Sequence, residues 1–186
     1  MTRLIYLVGE PGVGKSWLFT ELTKAFERTA MPTPAPRREF LLSPDRSTIV
    51  GVELGARAGK HHAGYPGTDA LPMNAIIAAE QYLVSGTAQR ETPLILAEGA
   101  RLAVRRFLDA ALTARIDTHV VLVTDPERAA KQRADRGSAQ NPSWVRGATT
   151  RAIRFYGYAV ASGVNTSAYA SLPPAEVLAG LADLIR

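Results

Sequence analysis

The chain has 186 residues, 46% hydrophobic and 21% charged, with a formal net charge of +5. That length suits one well-buried domain and is short for two, and the composition is ordinary for a globular protein. Cysteine is absent, which excludes disulfides, thiolate zinc sites and cysteine nucleophiles, and no run reaches the roughly 18 apolar residues that cross a bilayer. With no signal-peptide pattern at the start, the expectation is a cytoplasmic protein without membrane association. The positive balance suits polyanionic partners, although an enzyme for free nucleotides can also carry it.

The elements alternate. "RLIYLVG" (3–9) is a continuous apolar run, as expected of a central parallel strand covered on both faces. "SWLFTELTKAFERTA" (16–30) puts Leu18, Phe19, Leu22 and Phe26 on one helical face and predicts a helix. "MPTPAPRR" (31–38) is Pro-rich and reads as an exposed connection. "EFLLS" and "TIVGVELG" are strand candidates around a turn at "SPDRS". "ARAGKHHAGYPGTD" (56–69) has no periodicity and reads as a long functional loop.

"MNAIIAAEQYLVSG" predicts a helix ending at Gly86. "PLILAEG" (93–99) is another buried strand, followed by the predicted helix "ARLAVRRFLDAALTA". "THVVLVTD" (118–125) is a third clear strand. Pro126 opens a cationic helix, "PERAAKQRADRG". After the polar break "SAQNPS" comes a helix over roughly 144–162, then a short strand near "VNTSAY" and an amphipathic helix, "PAEVLAGLADLIR". Strands alternating with helices predict one α/β domain spanning residues 1–186, with a parallel sheet covered on both sides.

The chemistry begins at "GEPGVGKS". Gly9-x-x-x-x-Gly14-Lys15-Ser16, between a strand and a helix, has the pattern and the setting of a phosphate-binding loop. Glycines let backbone N–H groups turn inward around a phosphate. Lys15 can reach the outer oxygens, Ser16 can offer its hydroxyl to Mg²⁺, and the helix N-terminus adds partial positive charge. Gly9, Glu10, Pro11, Gly12, Val13, Gly14, Lys15, Ser16 and Trp17 are therefore the predicted residues around ATP. Glu98, ending an apolar strand, is the candidate to orient Mg²⁺ opposite Ser16, with Arg101 beyond it; the alternative is a carboxylate that caps a helix.

Arg128, Lys131, Arg133 and Arg136 follow the strand that ends near Asp125. Either they form a solvated face, or Arg133 and Arg136 belong to a flap that stabilises charge dispersed during phosphoryl transfer. Trp144 is expected to pack beneath that flap. In "GYPGTDAL", Asp69 is a candidate to orient or accept the proton of a hydroxyl acceptor; otherwise Thr68 or Asp69 caps the next helix. Glu53 is the rival base. His61 and His62 have only the distant His119 as a further histidine, which does not make a metal set.

The phosphate loop, the "AEGAR" strand end and the arginine-rich helix before a flap resemble the P-loop nucleoside and nucleotide kinases over essentially the whole chain. The resemblance implies a five-stranded parallel sheet flanked by helices and an arginine-bearing lid, here about residues 126–147. It also implies transfer of a γ-phosphoryl group from ATP, with Mg²⁺, to a hydroxyl or phosphate acceptor. "EG" followed by Arg101 is similar to the "DG…R" element of nucleoside monophosphate kinases, with Glu in place of Asp and a different spacing. More narrowly, "ELGARAG…GTDAL" with "QRADRGSAQNPSWVRG" resembles phage-borne kinases that phosphorylate 5-hydroxymethyluracil in DNA, a step of DNA hypermodification in the host cytoplasm. By that resemblance Asp69 faces the acceptor hydroxyl, and Arg133 and Arg136 belong to the lid and act with Asp69 in catalysis. Lys15 joins them as a catalytic candidate from its place in the phosphate loop, and the positive charge of Arg37, Arg38 and Lys60 is expected to hold DNA. A free nucleoside or nucleotide is the alternative acceptor, and a regulatory P-loop NTPase the alternative class.

Overall fold

The computed structural model describes residues 1–31, 36–55, 67–137 and 140–185. Lys60, His61 and His62 lie outside the described residues, as do most of the predicted long loop and part of the predicted lid.

β1 (Arg3–Gly9) is an inner strand, between β5 and β6, of a sheet in the order β2-β3-β4-β5-β1-β6-β7. Parallel pairing joins β4 (Ile49–Leu54), β5 (Leu94–Glu98), β1, β6 (Asp117–Thr124) and β7 (Asn165–Ala170). Two further strands, β2 (Glu27–Met31) and β3 (Arg38–Leu42), extend that core antiparallel beside β4. The sheet is therefore mixed and has seven strands, not the five parallel ones that the resemblance implies.

Of the two extra strands, β3 falls on the strand candidate "EFLLS", whereas β2 comes from a segment whose sequence pattern reads as helix. α1 (Lys15–Leu22) stops where the Thr23 hydroxyl turns back onto the Phe19 carbonyl at 2.6 Å. Beyond it, Arg28 from β2 reaches two buried carboxylates facing each other across β3 and β4. Its guanidinium lies 2.8 Å from Glu39 and 3.0 Å from Glu53. Those charge-assisted bonds, with a ladder of backbone pairs, outweigh the helical periodicity of 23–30. Leu22 and Phe26 still pack on the core, so the apolar pattern was legible although the element changed.

α2 (Ala75–Val84), α3 (Thr87–Glu91), α4 (Arg105–Thr113), α5 (Pro126–Asp135), α6 (Pro142–Ala161) and α7 (Pro174–Ile185) complete the chain. Alternate residues of β1 enter opposite layers: Leu4, Tyr6 and Val8 join a cluster with Phe107 and Phe155, whereas Ile5 and Leu7 join Phe19 and Leu181. Helices on both faces thus account for the uninterrupted apolar strand. α4 starts at Arg105 rather than Ala100, and the Ala100 and Arg101 N–H groups ahead of it donate to the Asp69 carboxylate. No helix among the described residues is long and apolar enough to cross a membrane.

Arg38 corrects a sequence expectation. It is 1% exposed, pairs with both carboxylate oxygens of Glu91 at 3.0 and 2.6 Å, and lies over the Tyr82 ring. A guanidinium so enclosed is part of the core and is not presented to a nucleic acid.

Arg28→Met should destabilise the fold by about 3 kcal/mol, because it takes the shared cation from between two buried carboxylates. Arg46→Met, which breaks an exposed pair with Glu27, should cost far less. Urea unfolding of both variants checks this; equal losses would mean that Arg28 does not hold β2 in place.

Candidate functional site

Gly9 ends β1 against β6: a Cβ at this position would come 2.0 Å from the Val123 carbonyl oxygen. The loop then turns through Gly12 and Gly14, and α1 begins at Lys15 with Gly14 in the left-handed region. Two contacts tie this loop to α5. The buried Glu10 carboxylate accepts the N–H of Asp125, and Arg133 donates to the Pro11 carbonyl. The Lys15 ammonium folds over the loop and donates to the Gly9 and Glu10 carbonyls, both at 3.0 Å.

Opposite, Glu98 ends β5 and is 2% exposed. The Ser16 hydroxyl donates to its Oε1 at 2.7 Å. Gly67 presses on the same carboxylate so closely that a Cβ there would stand 2.5 Å from Oε1. Thr68 donates to the Glu98 carbonyl at 2.8 Å. The short turn Thr68–Ala70 thereby holds Asp69, whose Oδ1 accepts the Ala100 and Arg101 N–H groups at 2.9 and 3.2 Å.

These groups surround one cavity of about 400 Å³. Of the residues singled out in the sequence, Gly9, Pro11, Gly12, Gly14, Lys15, Ser16, Trp17, Asp69, Glu98 and Arg136 line it. Glu10, Val13 and Arg133 do not; they stand behind the loop, Val13 in the core and the other two on the contacts to α5. Glu53 is also absent from this cavity and lies in the buried pair with Arg28. Trp144, expected beneath a flap, is 44% exposed and forms part of the cavity wall. Lys131 points outward, paired with Asp135 at 2.7 Å, as a solvated face requires.

Gln132 and Gln140 line the cavity and were not singled out in the sequence. For Gln132 a signal existed: it stands four residues before Arg136, on the same side of α5. A smaller cavity of about 180 Å³ shares Gly14, Trp17 and Gln132 with the first and adds Leu18, Arg128 and Val177. Sequence reasoning missed it, because Val177 arrives from the far end of the chain.

Burial pulls the Lys15 ammonium below its ordinary pKa, against the opposing pull of Glu98, Asp69 and Glu10, while Arg136 adds to the lowering. The Ser16 hydroxyl and Glu98 carboxylate are hard oxygen donors held side by side, and that set fits Mg²⁺. With backbone N–H groups at a helix N-terminus and a lysine above them, the cavity can hold a nucleotide phosphate chain.

Residues 1–181 match the model of the family described as P-loop Nucleotide Kinase3. Among solved structures, the G domain of the T. maritima FeoB iron transporter is similar at 17% identity and a TM-score of 0.41, with 100% of this chain and 99% of that one covered. No curated protein matches.

Phosphate charge beside Lys15 should raise its lowered pKa, so nucleotide binding in alkaline solution should take up a proton, and affinity should fall as pH rises through the free-state value. Calorimetry in two buffers of different ionisation enthalpy reads that uptake. It should vanish in Lys15→Met; an uptake that persists in this variant assigns the proton to another group.

Proposed function

The chain belongs to the P-loop Nucleotide Kinase3 family, and from that premise we propose that it is an ATP- and Mg²⁺-dependent kinase acting on a hydroxyl of a nucleotide acceptor. One observation carries the reading: the Ser16–Glu98 bond, Lys15 and Asp69 converge on a single cavity. The triphosphate would lie in the loop of 9–16, with its base toward the smaller, more apolar cavity that shares Gly14 and Trp17. Mg²⁺ held by Ser16 and Glu98 would neutralise phosphate charge.

In the proposed step the acceptor oxygen attacks the γ-phosphorus, the bond to the bridging oxygen breaks, ADP leaves, and the acceptor proton passes to Asp69. Lys15 and Arg136 face the oxygens on which charge gathers. Arg133 serves differently from Arg136: its bond to the Pro11 carbonyl keeps the loop in shape. Glu53, committed to Arg28 on another part of the sheet, is the weaker candidate for the base.

For the acceptor itself, the proposal follows the narrower resemblance: the hydroxymethyl group of 5-hydroxymethyluracil in DNA. Exposed Arg146, Arg151 and Arg154 on α6 supply positive charge beside the Trp144 wall of the cavity. A free nucleotide is the second reading, favoured by the enclosure of Arg38, which removes one expected DNA contact.

Asp69→Asn keeps an acceptor for the Ala100 and Arg101 N–H groups but loses basicity. Turnover should fall about a hundredfold or more with ATP binding nearly unchanged. Arg136→Ala should lower turnover more than ATP affinity, whereas Arg133→Ala should weaken ATP binding itself. Steady-state kinetics beside equilibrium binding separates the two; identical behaviour would reject the division of roles.

The acceptor is tested with γ-labelled ATP and duplex DNA containing 5-hydroxymethyluracil, unmodified DNA, or the free nucleoside and monophosphate. Label should enter the modified DNA, at a rate that falls with added salt as phosphate contacts are screened. Label confined to mononucleotides, without salt sensitivity, establishes the second reading; ATP hydrolysis without label in any acceptor rejects the kinase.

A further inference from the structure

Tyr6 is the one residue of β1 that brings a hydroxyl into the core. It is fully buried, and its ring meets two others: Phe107 of α4 stands edge-on with centroids 5.7 Å apart, and Phe155 of α6 lies tilted at 5.0 Å. A leucine would fill such a place with no polar group to satisfy, whereas a buried phenol needs a partner. That partner lies beside the phosphate cavity. The Tyr6 hydroxyl donates to the Gly99 carbonyl at 3.2 Å and also meets the Thr68 side chain. Burial pushes the phenol well above its ordinary pKa, and the charges of Asp69 and Glu98 add to the rise, so the group stays a donor.

The Gly99 carbonyl and the Ala100 N–H belong to one peptide unit. Such a unit is planar, and its two polar groups point to opposite sides. On one side it accepts from Tyr6; on the other the Ala100 N–H donates to Asp69 Oδ1 at 2.9 Å. Phenol and carboxylate are thus the two ends of one hydrogen-bonded chain, in which each bond polarises the next. Gly99 completes the seat. Its φ is 112°, and a Cβ there would stand 2.9 Å from both Cγ and Oδ2 of Asp69. The carboxylate therefore packs on the bare Cα of the same residue whose carbonyl Tyr6 holds.

Resting on the kinase reading above, we infer that Tyr6 is a positioning residue, which through the Gly99–Ala100 peptide fixes where the Asp69 carboxylate stands for the acceptor hydroxyl. Tyr6 does not line the phosphate cavity, so its effect reaches the reaction through the turn that it holds. Tyr6→Phe keeps the ring and its packing and removes one oxygen.

Amide hydrogen exchange, followed by NMR on the full chain, reads this seat without any substrate. In Tyr6→Phe the Ala100 N–H should exchange about fivefold faster, the size of one neutral hydrogen bond. The Asp125 N–H, held by the Glu10 carboxylate outside this chain of bonds, should not change. Ile5→Val, a deletion on the opposite face of β1, is the control for a general loss of stability and should leave the ratio of the two rates as it is. With an acceptor that takes label, Tyr6→Phe should lower turnover about fivefold at unchanged KM for ATP. In the Asp69→Asn background the same change should cost less than about twofold, because the group that it positions no longer serves as base. An Ala100 rate that does not rise, a rise shared equally by Asp125, or full additivity with Asp69→Asn would overturn the positioning role. A selective rise at Ala100 in a chain that labels no acceptor would leave Tyr6 as the anchor of the Asp69 turn and remove the kinase reading.

Discussion

The hydrogen bond between Ser16 and Glu98 depends on one pairing of strands. β1 and β5 run parallel with Leu7 opposite Glu98, so the carboxylate ends its strand where the phosphate loop leaves β1. The Gly99 N–H then returns to the Leu7 carbonyl. A slip of one residue would turn the Glu98 side chain to the other face of the sheet and separate the two oxygens. Burial of Leu4, Tyr6 and Val8 on one face and Ile5 and Leu7 on the other holds that register. Core packing and site geometry are in this sense one constraint.

Charge follows the same axis. Glu10, Asp69 and Glu98 all pull on the buried Lys15 ammonium, and Arg136 opposes them. The carboxylates also serve the backbone: Glu10 takes the Asp125 N–H, and Asp69 takes those of Ala100 and Arg101. Each is thus held at a strand end or turn by the main chain, which fixes its direction before any ligand arrives. Both carboxylates thereby act on the Lys15 ammonium from fixed positions.

Much of this was legible because it is local. The Gly9–Ser16 spacing carries its own geometry, and the apolar runs of β1, β5 and β6 admit few alternatives. Glu98 was legible as a strand-end carboxylate opposite Ser16, but the direct bond between the two requires β5 beside β1. The misread segment at 23–31 shows the opposite case. Its helical periodicity is real, yet β2 is held by Arg28 acting on Glu39 and Glu53, residues of two other strands. Arg38 likewise looked like surface charge until Glu91 and Tyr82, more than forty residues on, enclosed it. Long-range ion pairs leave no periodic trace.

α5 shows how one cationic segment divides its work by helical geometry. Residues four apart lie above one another on a helix, whereas those three apart fall on neighbouring lines. Ala129 and Arg133 form one line: a Cβ at Gly12 would stand 2.6 Å from the Ala129 carbonyl and 2.9 Å from the Arg133 side chain. This line presses on the phosphate loop and holds its Pro11 carbonyl. Arg128, Gln132 and Arg136 form the next line, and they border the two adjoining cavities in turn. Gln132 borders both. A rotation of α5 that altered what Arg136 meets in the cavity would therefore also pull on the loop through Arg133. α5 thus joins the wall of the ligand cavity to the shape of the phosphate loop.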